Sequence, residues 1–309
     1  MGGVASRSDH GGGEKVKNRS YKDESATSLI DRKRSIRASK AKVQRGSLGL
    51  LTKRKKRMEN NLIIKKLDRL RMPGIAETLE QRVEQAMKEK WSYSTFIDML
   101  LTDEVERRNH KQLTLRLTKS RLDQNKTMET FDFTFHPKMP TALLRELSSC
   151  KFIEKKQNIF ILGPSGVGKS HLAQALGHEA CRQEQDVLFY CTYKLFEWIY
   201  AGRGDGTHKK RLLQAIKIPV LILDDFGLQP LNEDQQDDLY QLIAERYEKN
   251  ATIITSNRDF DEWPSIFANP LLGTAALDRL VHRGIQIIIE GGSYRLAEFK
   301  KACAKAKKV

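Results

Sequence analysis

The spacing of apolar residues changes several times along the chain, and each change marks an element. From Asn61 they recur at helical intervals: Ile63, Leu67 and Leu70, then, past a Met72-Pro73-Gly74 turn, Ile75, Leu79, Val83 and Ala86. Ser94 predicts an N-cap ahead of Phe96, Ile97, Leu100 and Leu101. A further helix from Asp103 carries Arg107, Arg108, Lys111, Arg116, Lys119 and Arg121. Residues 60–125 therefore read as a small helical domain with a basic last helix. That face suits DNA phosphates, although a charged helical run is as often a solvated surface. Phe131-Asp132-Phe133-Thr134-Phe135 alternates apolar and polar positions. It predicts an extended linker whose rings dock onto the next domain, base stacking being the alternative use of such rings.

Beyond this point short apolar runs take over. They predict strands over 159–162, 187–191, 219–223, 251–255 and 285–289. Between them fall helical patterns: a short one around Leu143, Leu144 and Leu147, one after residue 168, two pieces over 195–216 broken at 201–206, one over 232–250 and one over 271–282. A lysine-rich frayed helix is expected from Lys300. Strands alternating with helices predict an α/β fold: a central parallel five-stranded sheet flanked by helices on both faces. Ligands of such sheets bind at the carboxyl ends of the strands. The predicted layout is a basic extension (1–57), a helical domain (58–130) for DNA or oligomer contacts, an α/β domain (131–299) and a basic tail (300–309).

Charge changes this picture mainly at the N-terminus. The chain of 309 residues has a formal charge of +16. Residues 1–57 hold 17 Lys/Arg against 5 Asp/Glu, or +12, which leaves +4 for the remainder. With few large apolar residues, 1–57 is expected to be mostly disordered. Its clusters at 31–34 and 53–57 suit non-specific nucleic-acid binding, unless the stretch is incidental sequence upstream of Met58. No apolar run approaches the roughly 18 residues of a membrane span, and the N-terminus lacks the apolar region of a secretory signal. The four cysteines form no C-x-x-C pair, so they read as thiols of a reducing cytoplasm.

The candidate chemistry is concentrated after the first strand. Gly163-Pro164-Ser165-Gly166-Val167-Gly168-Lys169-Ser170 matches the phosphate-loop pattern G-x-x-x-x-G-K-[ST] in full, between a strand and a helix. Its backbone N–H groups and the helix N-terminus suit phosphate oxygens, with His171 following directly. Lys169 is expected to reach the β/γ phosphates of ATP, and the Ser170 hydroxyl to ligate Mg²⁺. Asp224 and Asp225 end the third strand. Asp224 is expected in the Mg²⁺ shell and Asp225 to polarise an attacking water. Asn257, after the fourth strand, suits the γ-phosphate or that water. The negative charge of the transition state favours an arginine from a neighbouring subunit. Arg279 is the first candidate, then Arg283 and Arg295, although any single Arg is by default a surface ion-pair partner.

The ordered segments GPSGVGKSHLAQAL, VLILDDFG, ATIITSN, LDRL and SYR, with LDRLRMPGIAETLEQ and FDF before them, resemble the insertion-sequence ATPase IstB. That family is similar to the helicase loader DnaC, within the AAA+ ATPases. The resemblance spans about residues 60–296. It implies ATP-driven homo-oligomers assembled on double-stranded DNA in support of a transposase. It also implies ATP binding by Gly163 to Ser170, Mg²⁺ and hydrolysis at Asp224 and Asp225, γ-phosphate sensing by Asn257 and a finger at Arg279. A helicase loader and a DNA-binding scaffold with structural ATP are the competing readings.

Overall fold

The structure is a computed structural model that describes residues 61–267 and 269–306, together with 34, 35 and 37. Apart from those three positions, the basic stretch 1–57 lies outside the described residues. Two compact units divide between Glu106 and Arg107.

The first unit holds α1 (61–69), α2 (Pro73–Glu89) and the opening half of α3 (Tyr93–Ser120). Pro73 starts α2, where its missing N–H costs nothing. The next two backbone N–H groups, of Gly74 and Ile75, donate to Glu104 Oε2 at 2.7 and 3.4 Å. A carboxylate on α3 thus satisfies orphan donors at the N-terminus of α2. Gly74 permits the approach, because a Cβ there would stand 2.8 Å from the Glu104 Cα. Arg82 grips Asp103 through Nε (2.8 Å) and Nη2 (2.6 Å), and this contact lowers the Asp103 pKa. Two expectations change. The helix expected from Asp103 is continuous with its predecessor, since no breaker separates them. The start of α3 is held by Ser92, whose Oγ accepts from the Thr95 N–H, and not by Ser94.

In the second unit five parallel strands, β1 (Ile159–Leu162), β2 (Val187–Cys191), β3 (Val220–Asp224), β4 (Ala251–Ser256) and β5 (Ile285–Ile288), lie in the order β2-β3-β4-β1-β5. The three inner strands are buried at every position, whereas β2 and β5, at the edges, are partly exposed. Continuous apolar runs are what a sheet covered on both faces requires. Alternation along β1 separates two cores. Ile159 and Ile161 face Leu172 and Leu176 of α6 (Lys169–Arg182), in the core shared with α4 (Thr141–Ser148) and α5 (Lys151–Glu154). Phe160 and Leu162 face the other core, with α7 (Thr192–Ala201), α8 (His208–Lys217), α9 (Glu233–Arg246), the 3₁₀ turn Phe260–Ile266 and α10 (Pro270–Val281). Asn232 opens α9 with a complete capping box.

Arg246 ends α9 fully inside this core. Its guanidinium donates to the carbonyls of Ala215, Ile216, Ile218 and Ala251 and to the Thr252 hydroxyl. Burial pushes its pKa down to about 9, so it stays charged at neutral pH.

The 131–135 stretch forms turns and no strand. Phe131 nevertheless docks as expected, buried in the first core. The backbone bends because Asp132 Oδ1 accepts from both the N–H and the hydroxyl of Thr134, a local turn that competes with extension. The last helix, α11 (Tyr294–Ala306), starts six residues before the tail expected from Lys300.

Candidate nucleotide site

The strand order decides where the chemistry meets. β3, β4 and β1 are consecutive neighbours, so their carboxyl ends lie side by side at roughly 4.8 Å intervals. Asp224 ends β3, and the loops after these strands carry Asp225, Asn257 and the glycine-rich segment. A cavity of about 340 Å³ opens there, walled by Ser165 to His171, Asp225 and Asn257.

The loop conformation needs its glycines. Gly163 sits at φ +147°, with the Ile289 carbonyl oxygen 2.3 Å from where a Cβ would be. Gly168, at φ +95°, caps the N-terminus of α6. The chain after β5 closes over the loop: the Tyr294 N–H donates to the Gly166 carbonyl at 2.9 Å, and the Ile289 N–H to Leu162.

Lys169 is buried, and Nζ donates to the Gly163 and Pro164 carbonyls at 2.9 and 2.8 Å. Burial lowers its pKa, against the pull of Asp225 and Asp224. Asp224 is also buried and is not part of the cavity wall. Its Oδ1 accepts from the Thr255 hydroxyl, which in turn accepts from the Asp225 N–H at 3.0 Å. Asp225 sits at φ +53° and lines the cavity. Burial and then the charge of Asp224 raise its pKa, while Lys169 and Arg295 pull it back. The end of β4 therefore holds the Asp224 carboxylate and the Asp225 backbone through one hydroxyl.

The phosphate loop, Asp225 and Asn257 thus line one cavity, and Asp224 is linked to Asp225 through Thr255. The arginines separate. Arg295 lines this same chain's cavity. Arg279 does not: half-buried, it donates to the Tyr240 hydroxyl at 2.9 Å and lies over that ring. Arg283 is exposed, 3.9 Å from Glu248. The wall also includes residues that carried no phosphate signature, among them Lys126, Thr130, Phe131, His136 and Tyr294. His171 fixes one side of it: its Nε2 lies 3.0 Å from the Thr127 carbonyl, and its ring meets Phe131 edge-on. The aromatic pattern at 131–135 was the available signal, and it predicted docking onto the next domain without pointing to the cavity.

The site fits a nucleoside triphosphate with Mg²⁺. It offers a helix N-terminus, a buried cation, and hydroxyl and carboxylate oxygens, but no group of three or more His, Cys, Asp or Glu among the described residues that could hold a metal unaided. Mg²⁺ typically takes one or two protein oxygens and completes its shell with phosphate and water.

Fold and site together define a P-loop nucleotide-binding protein with a central parallel sheet. The family model for IstB-like ATP binding proteins matches residues 65–302. The chain belongs to that family. It is 39% identical over 236 residues to the ATP-binding protein of insertion sequence IS21 from Pseudomonas aeruginosa, covering 76% of this chain and 89% of that one. It is 37% identical over 230 residues to the corresponding protein of insertion sequence IS5376 from Geobacillus stearothermophilus, covering 74% and 92%. Among solved structures, the DnaC helicase loader aligns with a TM-score of 0.45 at 24% identity, over 54% of this chain and 98% of that chain. No helix among the described residues is long and apolar enough to cross a membrane.

Proposed function

We propose that this protein hydrolyses ATP as a helper of DNA transposition, assembling as a cytoplasmic homo-oligomer on double-stranded DNA and supporting a partner transposase. The observation that carries the proposal is the meeting of phosphate loop, Asp225 and Asn257 around one cavity, in a chain related to insertion-sequence ATP-binding proteins.

Each residue has a part. The loop N–H groups of Gly163 to Ser170 hold the phosphates, with Pro164, Ser165 and Val167 shaping the turn and His171 bracing its far side. Lys169 exchanges the Gly163 and Pro164 carbonyls for β/γ oxygens, a stronger charge-assisted pairing. Ser170 and Asp224 would hold Mg²⁺, which would supply positive charge to the phosphates. Asp225 accepts the proton of the attacking water, and Asn257 orients that water against the γ-phosphate. Arg295 supplies positive charge from within the chain. Arg279 adds a second arginine only when assembly draws it off Tyr240 toward a neighbour's site. Residues 1–57 and the basic half of α3 add phosphate contacts to duplex DNA.

The test is assembly. Full-length protein is sedimented with duplex DNA in the presence of ATP, of a non-hydrolysable analogue, or of neither, with purified transposase or replicative helicase added in parallel. Nucleotide-dependent co-sedimentation that recruits transposase and not helicase supports the proposal. Nucleotide-independent DNA binding, or selective recruitment of helicase, refutes it.

A further inference from the structure

Hydrogen bonds fasten the end of β4 to the turn that carries both aspartates. The Thr255 carbonyl accepts from the Phe226 N–H at 2.8 Å. The Ser256 hydroxyl donates to the Phe226 carbonyl at 2.8 Å and accepts from the Arg258 N–H at 3.1 Å. These bonds hold the turn at Phe226, whose ring is fully buried in the second core. The Thr255 hydroxyl, also fully buried, differs from them. It accepts from the Asp225 N–H at 3.0 Å and gives its single proton to Asp224 Oδ1. It thus meets the backbone of one aspartate and the carboxylate of the other. Asp225 needs such a hold. Its φ of +53° is a left-handed conformation that persists only where the surroundings fix it. In that conformation Asp225 lines the cavity while Phe226 enters the core.

We propose that Thr255 is a positioning residue for ATP hydrolysis, its hydroxyl orienting the Asp224 carboxylate toward Mg²⁺ and holding Asp225 in the cavity wall. This rests on the roles proposed above for the two aspartates. The terminal torsion of an aspartate is soft and roughly two-fold, so a free carboxylate turns over a broad range. A bond to Oδ1 fixes its plane and leaves its other oxygen to the Mg²⁺ shell. The bond to the Asp225 N–H fixes the peptide plane from which φ of Asp225 is measured, and with it the direction of the side chain that faces the attacking water. Thr255 also stands two residues before Asn257, so one strand end sets both acids and the γ-phosphate contact. A buried hydroxyl that merely satisfied an N–H would contribute to stability and leave Mg²⁺ dependence untouched.

The experiment compares the full-length protein with Thr255→Val, which keeps the shape and loses the hydroxyl, and with Thr255→Ser, which keeps the hydroxyl. Thr255→Ala, which leaves room for a water beside the carboxylate, replaces Thr255→Val should the latter not fold. Equilibrium ATP affinity is measured in EDTA and in Mg²⁺, and kcat by phosphate release. Thr255→Val should keep the EDTA affinity within about twofold, lose most of the gain in affinity that Mg²⁺ gives the parent, and lower kcat about 10- to 100-fold, the range of one charge-assisted bond or a small misplacement. Serine lacks the methyl group that stiffens χ1, so Thr255→Ser should recover both properties to within about threefold of the parent. Equal loss of affinity in EDTA and Mg²⁺ would mark a packing defect and overturn the assignment. So would parental kcat and Mg²⁺ dependence in Thr255→Val, or a Thr255→Ser no better than Thr255→Val. A parent in which Mg²⁺ neither tightens ATP binding nor supports turnover overturns the roles of Asp224 and Asp225, and Thr255 with them.

Discussion

Asp225→Asn should make the protein more stable and nearly inactive. In the folded protein Asp225 loses hydration and faces Asp224, and both effects raise its pKa. A carboxylate whose folded pKa lies above its unfolded value destabilises the fold wherever it is ionised. That cost is fully present above the folded pKa and vanishes below the unfolded one, near about 3.9. Asparagine keeps the shape, removes the charge and tolerates the φ of +53° better than most residues. Because Asp225 is only half-buried and Lys169 and Arg295 offset part of the strain, the gain is about 1 kcal/mol at most. That corresponds to a Tm rise of about 2–4 °C for a domain of this size. The loss of a water-polarising base should slow hydrolysis roughly 10²–10⁴-fold with ATP binding retained. Thermal melts at pH 8 and pH 4.5 and a phosphate-release assay check both halves, and the difference in Tm should shrink at the lower pH. A destabilised variant at pH 8, or one that turns over at the parent rate, refutes the reasoning.

Three other substitutions probe separate parts of the account. Lys169→Ala removes a charge-assisted contact of about 1.5–3 kcal/mol to phosphate, so ATP affinity measured by calorimetry should fall by one to two orders of magnitude while the fold is kept. Arg246→Met removes the guanidinium from the Ala215, Ile218 and Ala251 carbonyls and the Thr252 hydroxyl, while the Ile216 carbonyl keeps Asn250 Nδ2. It should cost about 3–5 kcal/mol and lower Tm by roughly 10 °C, and a shift under 2 °C would show that the guanidinium holds nothing together. Arg279→Ala should keep ATP affinity and lose DNA-stimulated hydrolysis. Mixing it with Lys169→Ala protein should restore part of the activity, because some interfaces then pair an intact loop with an intact arginine.

Much of this was legible in the sequence, for identifiable reasons. Five short apolar runs mark the five strands, the three inner ones buried at every position, and the phosphate loop is a local backbone device whose glycines are written into the chain. Asp224, Asp225 and Asn257 could be assigned to the site because each follows a strand, and strand ends of a parallel sheet converge. What stayed hidden depends on side chains meeting across distance. That Thr255 links both aspartates, or that Arg279 lies against Tyr240 while Arg295 reaches its own chain's cavity, results from packing and has no periodic signature. The cap at Ser92 and the turns at 131–135 were misplaced because neighbouring Ser, Asp and Thr side chains offer equivalent local bonds.

The most direct test of the central claim is the rate of phosphate release by the full-length protein with ATP and Mg²⁺, measured with and without duplex DNA. Turnover that rises at least several-fold on duplex DNA and disappears in Lys169→Ala is the predicted result. No turnover in either condition, or turnover that persists in Lys169→Ala, would contradict it.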